Sequence, residues 1–297
     1  MTDAPPPDFH VDPELAARLV AAQHPDLAGP VRHAAGGWDN VLFRLGERYA
    51  VRMPRRHEGV GLMWNEQRWL PELAAALPVP VPAPVRVGRP APELGYDVPW
   101  SIVPWFDGQS GLSFDLETRG VAASALAGFV AELSATPAPV DAPSNPYRGV
   151  PLARRDAAIR ARLTGGRIPD ADRLLRVWER ALAASEWTGP PVWLHGDLHP
   201  HNVLLAPSGF LVAVVDFGDL TAGDPATDLA TAWLTFDARS RRRFRSELEV
   251  RRGVDEATWD RARGWALVIA SAVVEMSSPA SRFGSVAAEE LAQVLLD

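Results

Sequence analysis

Cysteine and lysine are both absent from this sequence of 297 residues. The absence of cysteine excludes disulfides and thiolate metal sites, which is typical of proteins in a reducing compartment. All 30 basic residues are arginines, so a reaction that commonly uses a lysine must use another cation here. The N-terminal residues lack the apolar segment of a secretion signal, and the longest apolar run, 265–274, is too short to span a bilayer. We therefore expect a cytoplasmic protein.

Acidic residues outnumber basic ones, giving a formal net charge of −7. This charge argues against a nucleic-acid partner and against an anionic membrane surface, and it weakly favours cationic ligands. The arginine-rich segment 239–245 is expected to be a solvated helix face. A chain of this length is near the usual size limit of a single hydrophobic core, so we expect two lobes.

The most informative segment is His195–Asn202, which reads HGDLHPHN and is followed by Asp216 and a Phe-Gly pair. Asp197 is a candidate proton acceptor, Asn202 supplies an amide oxygen and Asp216 supplies a carboxylate. Phosphoryl transfer from a nucleoside triphosphate with Mg²⁺ uses this set of groups. Oxygen ligands suit Mg²⁺, and a cluster of the three histidines as a metal site is a weaker explanation of the same segment.

Hydrophobic spacing divides the chain into a β-rich N-terminal part and a larger helical part. Asp12 and Pro13 predict a helix start, and repeated prolines over residues 77–104 exclude long helices there. The predicted helices are 12–23, 65–77, 117–134 and 170–185, and the predicted strands are 41–45, 49–53, 100–103, 192–194, 203–205 and 210–215. The predicted class is α+β.

In their order and spacing these motifs resemble the aminoglycoside phosphotransferase family, a branch of the protein-kinase-like fold. The motifs that carry the resemblance are Gly36–Asn40, Ala50–Pro54, Glu66, His195–Asn202, Asp216–Asp219 and Gly223–Ala230. The resemblance implies a bilobal fold. Its small β-rich N-terminal lobe, residues 1–103, would bind the nucleotide, and its mainly helical C-terminal lobe, residues 104–297, would carry the catalytic loop and the acceptor site.

By the family pattern, Asp197 accepts or orients the proton of the acceptor hydroxyl, whereas Asn202 and Asp216 hold Mg²⁺. His195 is expected to support the loop rather than to take part in the chemistry. Asp228 is expected to cap the helix that begins near Leu229.

The resemblance also implies a nucleotide site for ATP or GTP. Gly37 and Asn40 lie in the loop expected to approach the triphosphate. Arg52 stands where protein kinases carry a phosphate-binding lysine; a guanidinium keeps the charge but is longer and planar. Glu66 is its expected ion-pair partner. Val103 and Trp105 occupy the hinge, where backbone groups and aromatic rings would contact adenine.

The implied activity is transfer of the γ-phosphate to a hydroxyl of a small molecule, with an aminoglycoside or related antibiotic as the leading acceptor. Several acids of the last hundred residues are compatible with a cationic acceptor: Asp219, Asp224, Asp237, Glu247 and Glu275. One alternative is a metabolic kinase acting on an amino alcohol or a sugar. Another is a non-catalytic nucleotide-binding module, which the presence of Asp197, Asn202 and Asp216 argues against. The oligomeric state is left open.

Overall fold

The structure, a computed structural model, describes residues 5–296, which divide into two units of tertiary contacts. The first unit comprises the described part of Met1–Ala75 together with Val81–Asp107 and Asp216–Gly218. The second comprises Ala76–Pro80, Gly108–Val215 and the described part of Asp219–Asp297. None of the helices in the described residues combines the length and the apolarity needed to cross a membrane.

An antiparallel sheet with strand order β1-β2-β3-β5-β4 forms the first unit. Its strands are β1 (Val31–Gly36), β2 (Asn40–Leu45), β3 (Tyr49–Pro54), β4 (Arg86–Gly88) and β5 (Trp100–Pro104). The predicted hairpin is confirmed, with Phe43 opposite Val51 across β2 and β3. Both side chains are buried in the core of this unit.

Two helices belong to the same unit, α1 (Pro13–Gln23) and α2 (Glu58–Ala74). Asp12 caps α1 as predicted, because its Oδ1 accepts a hydrogen bond from the Leu15 amide at 2.7 Å. The prediction of 65–77 for the second helix was wrong at both ends. Glycines 59 and 61 have low helix propensity, but buried positions recur at helical spacing from residue 59 onward, so packing overrides propensity.

Short strands of the second unit frame its central loops. A three-stranded sheet has the order β6-β8-β9 and a two-stranded sheet pairs β7 with β10. These strands are β6 (Gln109–Ser110), β7 (Val192–Leu194), β8 (Val203–Leu205), β9 (Leu211–Val214) and β10 (Thr221–Gly223). The strands predicted at 192–194 and 203–205 are confirmed, and the one predicted at 210–215 is shorter.

Helices make up the rest of the second unit. They are α3 (Leu116–Gly120), α4 (Ala123–Ala135), α5 (Asp156–Thr164), α6 (Ala171–Ala183), α7 (Ala226–Leu229), α8 (Thr231–Thr235), α9 (Ala238–Arg252), α10 (Glu256–Met276) and α11 (Arg282–Val294). The helix predicted at 117–134 is divided after Gly120, where a Cβ would lie 2.1 Å from Ser240 Oγ. A side chain at this position would displace the Ser240 hydroxyl, so glycine suits the close approach to α9.

The arginine-rich segment lies on α9 and is only partly the solvated face that we expected. Arg242 and Arg243 are exposed, but Arg241 is buried, and its guanidinium lies 5.6 Å from the Trp233 ring. The fold is α+β, with an antiparallel sheet in the N-terminal region and helices in the C-terminal region, as predicted.

Candidate active site

The loop between β7 and β8 carries the residues His195–Asn202 in the second unit. Gly196 has φ +86°, and a Cβ there would lie 2.3 Å from the Asp219 carbonyl oxygen, so the turn requires glycine. The His195 ring is buried, with Nε2 3.0 Å from the Val215 carbonyl oxygen, and its Nδ1 accepts from the Asp197 amide at 3.2 Å. Both ring nitrogens are thus used to hold the loop.

Asp228 stabilises the same loop through hydrogen bonds to its backbone. Its carboxylate accepts hydrogen bonds from the His195 amide at 2.6 Å and from the Gly196 amide at 2.9 Å. Burial raises the pKa of this carboxyl, although the backbone donors oppose the effect. The expectation that Asp228 caps the helix near Leu229 was wrong, because Asp228 lies inside α7 and its carboxylate caps the loop instead.

The Asp197 carboxylate has a partner on each oxygen. Oδ1 lies 3.0 Å from an Nη atom of Arg148, and Oδ2 lies 3.1 Å from Nε2 of His199. Burial opposes ionisation of Asp197, but the charges of His199 and Arg148 outweigh it and hold the pKa well below its usual range. Asp197 is therefore a carboxylate at neutral pH and is fixed in one orientation.

Asn202 is buried and bonded to Asp197. Its Nδ2 donates to the Asp197 carbonyl oxygen at 2.9 Å and approaches Oδ2 at 3.4 Å. These contacts orient the amide group, so that Oδ1 is the atom left for a ligand. The short 3-10 turn Pro200–Asn202 places the side chain at the end of the loop, where β8 begins.

In the first unit, Arg52 lies between two carboxylates. One Nη atom is 2.9 Å from Glu66 Oε1 and 2.9 Å from Asp216 Oδ1. Burial raises the pKa of Glu66 to about 7, against the opposing charge of Arg52. Burial lowers the pKa of Arg52, but the two carboxylates reverse this and raise it. The expected pairing of Arg52 with Glu66 is present, and the contact with Asp216 is an addition that the sequence did not indicate.

Asp216 has φ +63°, a backbone conformation that is uncommon for a residue other than glycine, and its side chain is 55% exposed. Arg52 occupies one of its oxygens and leaves the other accessible. Among the described residues, no group of three or more His, Cys, Asp or Glu side chains could hold a metal by itself. Mg²⁺ is usually bound by one or two carboxylates together with substrate phosphates, so the accessible carboxylate oxygen of Asp216 suits a metal that binds with a nucleotide.

Gly37 lies in the turn between β1 and β2, and Asn40 is the first residue of β2. The Gly37 amide donates to the Asn40 carbonyl oxygen at 2.8 Å, which closes the turn. Asn40 is buried and its Oδ1 has no hydrogen-bond partner in the described part of the chain. The turn therefore retains an unused buried acceptor, and the contact of Gly37 and Asn40 with phosphate stays a prediction.

Val103 and Trp105 lie at the end of β5. Val103 is buried opposite Ala50, and β4 pairs with β5 only as far as Ile102. The Trp105 amide donates to the Arg48 carbonyl oxygen at 2.8 Å, and its indole N–H donates to Asp107 at 2.9 Å. Both donors of Trp105 are thus used within this unit, and a base contact from Trp105 would come from its carbonyl oxygen or its ring.

Sequence reasoning did not identify Arg148, which lies 49 positions before Asp197 in a loop without helical or strand periodicity. It did not identify the role of His199 either. The spacing of His199 two positions after Asp197 was the only available signal, and it was interpreted only as a weak metal motif.

A family model described as the phosphotransferase enzyme family (APH) matches residues 30–265. Solved structures with a similar fold include the GDP complex of wild-type aminoglycoside 2'-phosphotransferase-IIIa, with a TM-score of 0.67 and 20% identity over 96% of this chain and 97% of that chain. The ligand-free macrolide 2'-phosphotransferase MphH from Brachybacterium faecium has a TM-score of 0.60 and 22% identity over 93% and 97%. No curated protein matches significantly.

The GDP and kanamycin complex of APH(2")-IIia is also similar, with a TM-score of 0.62 and 22% identity over 87% of this chain and 89% of that chain. Likeness at these identities establishes a shared fold. The family assignment depends on the family model, which covers most of the chain. The chain therefore belongs to the phosphotransferase enzyme family.

Proposed function

We propose that this chain is an ATP- or GTP-dependent phosphotransferase that moves the γ-phosphate to a hydroxyl of a small molecule. The observation that carries the proposal is the arrangement around Asp197, whose carboxylate is fixed by Arg148 and His199 and is bonded to the Asn202 amide. The nucleotide is supported by solved relatives in complex with GDP or with ATP.

The chemistry is an in-line displacement. The acceptor oxygen forms a bond to the γ-phosphorus, the bond to the bridging β–γ oxygen breaks, and the nucleoside diphosphate leaves. Asp197 accepts a hydrogen bond from the acceptor hydroxyl, orients it, and takes its proton as the bond to phosphorus forms. A carboxylate with a low pKa is a weak base. It suits this role because the transition state is loose, so the acceptor hydroxyl needs little help from a strong base.

The remaining predicted site residues bind the nucleotide. Arg52, held by Glu66, would neutralise phosphate charge. Asn202 and Asp216 would each offer an oxygen ligand to Mg²⁺, which, when bound, would supply positive charge that offsets the charge developing on the phosphates. Gly37, Asn40, Val103 and Trp105 would contact the triphosphate and the base. In this assignment residues 1–103 bind the nucleotide, and residues 104–297 position the acceptor.

Two acceptor classes are compatible with this proposal. One is an antibiotic, since similar solved structures are of aminoglycoside and macrolide phosphotransferases; an antibiotic acceptor would make the chain a cytoplasmic resistance enzyme. The other is a metabolic amino alcohol or sugar. Neither class calls for a nucleic acid or a membrane as partner.

The test is incubation of the purified protein with Mg²⁺, ATP or GTP, and a panel of hydroxyl compounds, with phosphorylated product and nucleotide hydrolysis detected by mass. Asp197→Asn should lower kcat by roughly 10²–10⁴ while nucleotide binding remains. Asp172→Asn removes an exposed carboxylate on α6 and is the matched control. Equal turnover by the two variants would refute the role of Asp197. A non-catalytic module would bind nucleotide, raise its melting temperature on binding and show no turnover.

A further inference from the structure

The acids that are compatible with a cationic acceptor all have partners inside the protein. Asp224 is buried and forms two hydrogen bonds with Arg261, at 2.7 and 3.1 Å. Asp237 caps α9 by accepting from the Ser240 amide at 2.7 Å. Both carboxylates therefore already have partners within the protein.

The other three acids are engaged in the same way. Asp219 accepts from the Asn145 amide group at 2.6 Å, Glu247 lies 3.8 Å from an Arg251 nitrogen one turn along α9, and Glu275 lies 2.7 Å from Arg162. Each of these five acids therefore already has a partner within the described residues.

Cationic and aromatic side chains occupy the surroundings of Asp197 instead. Arg148 and His199 contact its two carboxylate oxygens. The His201 ring is stacked on His199 with the ring centroids 6.1 Å apart, and the Phe283 ring lies 4.9 Å from His201. His201 is exposed and Phe283 is 41% exposed, so the row of rings is open to a ligand.

One further carboxyl interacts with this group of side chains. Glu290 on α11 is buried, and burial raises its pKa to about 8 against the charges of His199 and Arg119. It is therefore mostly uncharged at neutral pH and does not offset the positive charge. Beside it, Glu289 is paired with Arg119 at 2.7 Å.

We propose that the acceptor has no ammonium group beside the hydroxyl that is phosphorylated, and that it is a neutral or anionic polyhydroxylated compound such as a sugar. Arg148 already offsets the charge of Asp197, so this ion pair offers no net attraction to an ammonium group, and a cation there would lie beside the Arg148 guanidinium. A sugar ring can instead place its apolar face on the rings of His201 and Phe283 while a hydroxyl donates to Asp197. This inference rests on the proposed phosphotransferase function, and it narrows the acceptor within that function.

The experiment uses the whole protein with Mg²⁺ and a nucleotide labelled at the γ-phosphate. Cationic, neutral and anionic hydroxyl compounds are offered as separate pools, with kanamycin and gentamicin in the cationic pool. We expect label in the neutral or anionic pool only. Calorimetric titration of kanamycin in the presence of Mg²⁺ and nucleoside diphosphate should show no saturable binding at micromolar concentrations.

Labelled kanamycin, or its saturable binding at micromolar concentration, would overturn the inference and leave the phosphotransferase function standing. Absence of nucleotide hydrolysis in the wild type, or its persistence in Asp197→Asn, would instead refute the proposed function.

Phe283→Ala should raise the acceptor KM about tenfold or more with little change in nucleotide KM, because it removes an aromatic contact. Phe210→Ala removes another exposed phenylalanine and should leave both KM values unchanged. Equal acceptor KM values in the two variants would count against the ring platform.

Discussion

An Nη atom of Arg148 lies 3.0 Å from Oδ1 of Asp197, so a loop residue far from the catalytic motif in sequence holds the candidate catalytic carboxylate. His199 holds the other oxygen. With both oxygens fixed, Asp197 cannot rotate freely toward or away from the acceptor, and its orientation depends on a cation outside the motif.

We expect Arg148→Met to lower kcat by roughly 10–10² with little change in nucleotide KM, because Asp197 loses its fixed orientation. Arg148→Lys should recover only part of the loss, since an ammonium does not reproduce the planar guanidinium. Added guanidinium should restore turnover in Arg148→Ala. Steady-state kinetics check these expectations, with the exposed Arg154→Met as the control. A lower melting temperature in Arg148→Met without a fall in kcat would show that Arg148 has only a structural role.

Arg52 is expected both to stabilise the fold and to contact the phosphates of the nucleotide. Arg52→Met should destabilise the fold by about 3 kcal/mol, because a buried ion pair loses one partner. The double variant Arg52→Met, Glu66→Leu should regain much of that stability, since the buried carboxyl is removed and the remaining partner, Asp216, is 55% exposed, but it should still bind ATP and GTP weakly. Urea unfolding and nucleotide titration separate the two effects, with exposed Arg18→Met as control. Recovery of wild-type nucleotide affinity in the double variant would exclude Arg52 from phosphate binding.

The sequence was sufficient for features that are local. The HGDLHPHN segment, the hairpin of β2 and β3, and the Asp12 cap each lie within a few residues, so the order of side chains indicates their geometry. The contact of Arg52 with Asp216 joins positions that are 164 residues apart. The link between Arg148 and Asp197 is likewise produced by tertiary packing, which one sequence does not reveal. The roles of the predicted site residues remain predictions that the variants test.

Asp228 shows the same limit. The preference of Asp for helix N-caps predicted a cap, but tertiary packing places its carboxylate against the amides of His195 and Gly196. Asp228→Ala should cost about 3 kcal/mol, since the buried amides of His195 and Gly196 lose their acceptor. Turnover should fall as well, because the loop that carries Asp197 loosens. Asp237→Ala removes the cap of α9 and should cost about 1 kcal/mol with kcat unchanged. Equal effects of the two substitutions on kcat, measured on folded protein, would show that Asp228 has no special effect on the loop.

The raised pKa of Glu290 predicts how the free energy of unfolding depends on pH. Burial raises its pKa from the ordinary 4.5 to about 8, so between these values the folded state binds a proton that the unfolded state has released. The stabilisation is complete below about pH 4.5 and is lost as the pH rises toward 8. In Glu290→Gln this loss should disappear, and the change should amount to a few kcal/mol, since one pKa unit corresponds to about 1.4 kcal/mol.

Urea unfolding of the wild type and Glu290→Gln at about pH 5 and about pH 9 measures this difference directly. The exposed Glu249→Gln, which also removes one negative charge, controls for the change in net charge. An equal decline in the free energy of unfolding in the wild type and Glu290→Gln would mean that Glu290 is ionised in the folded protein.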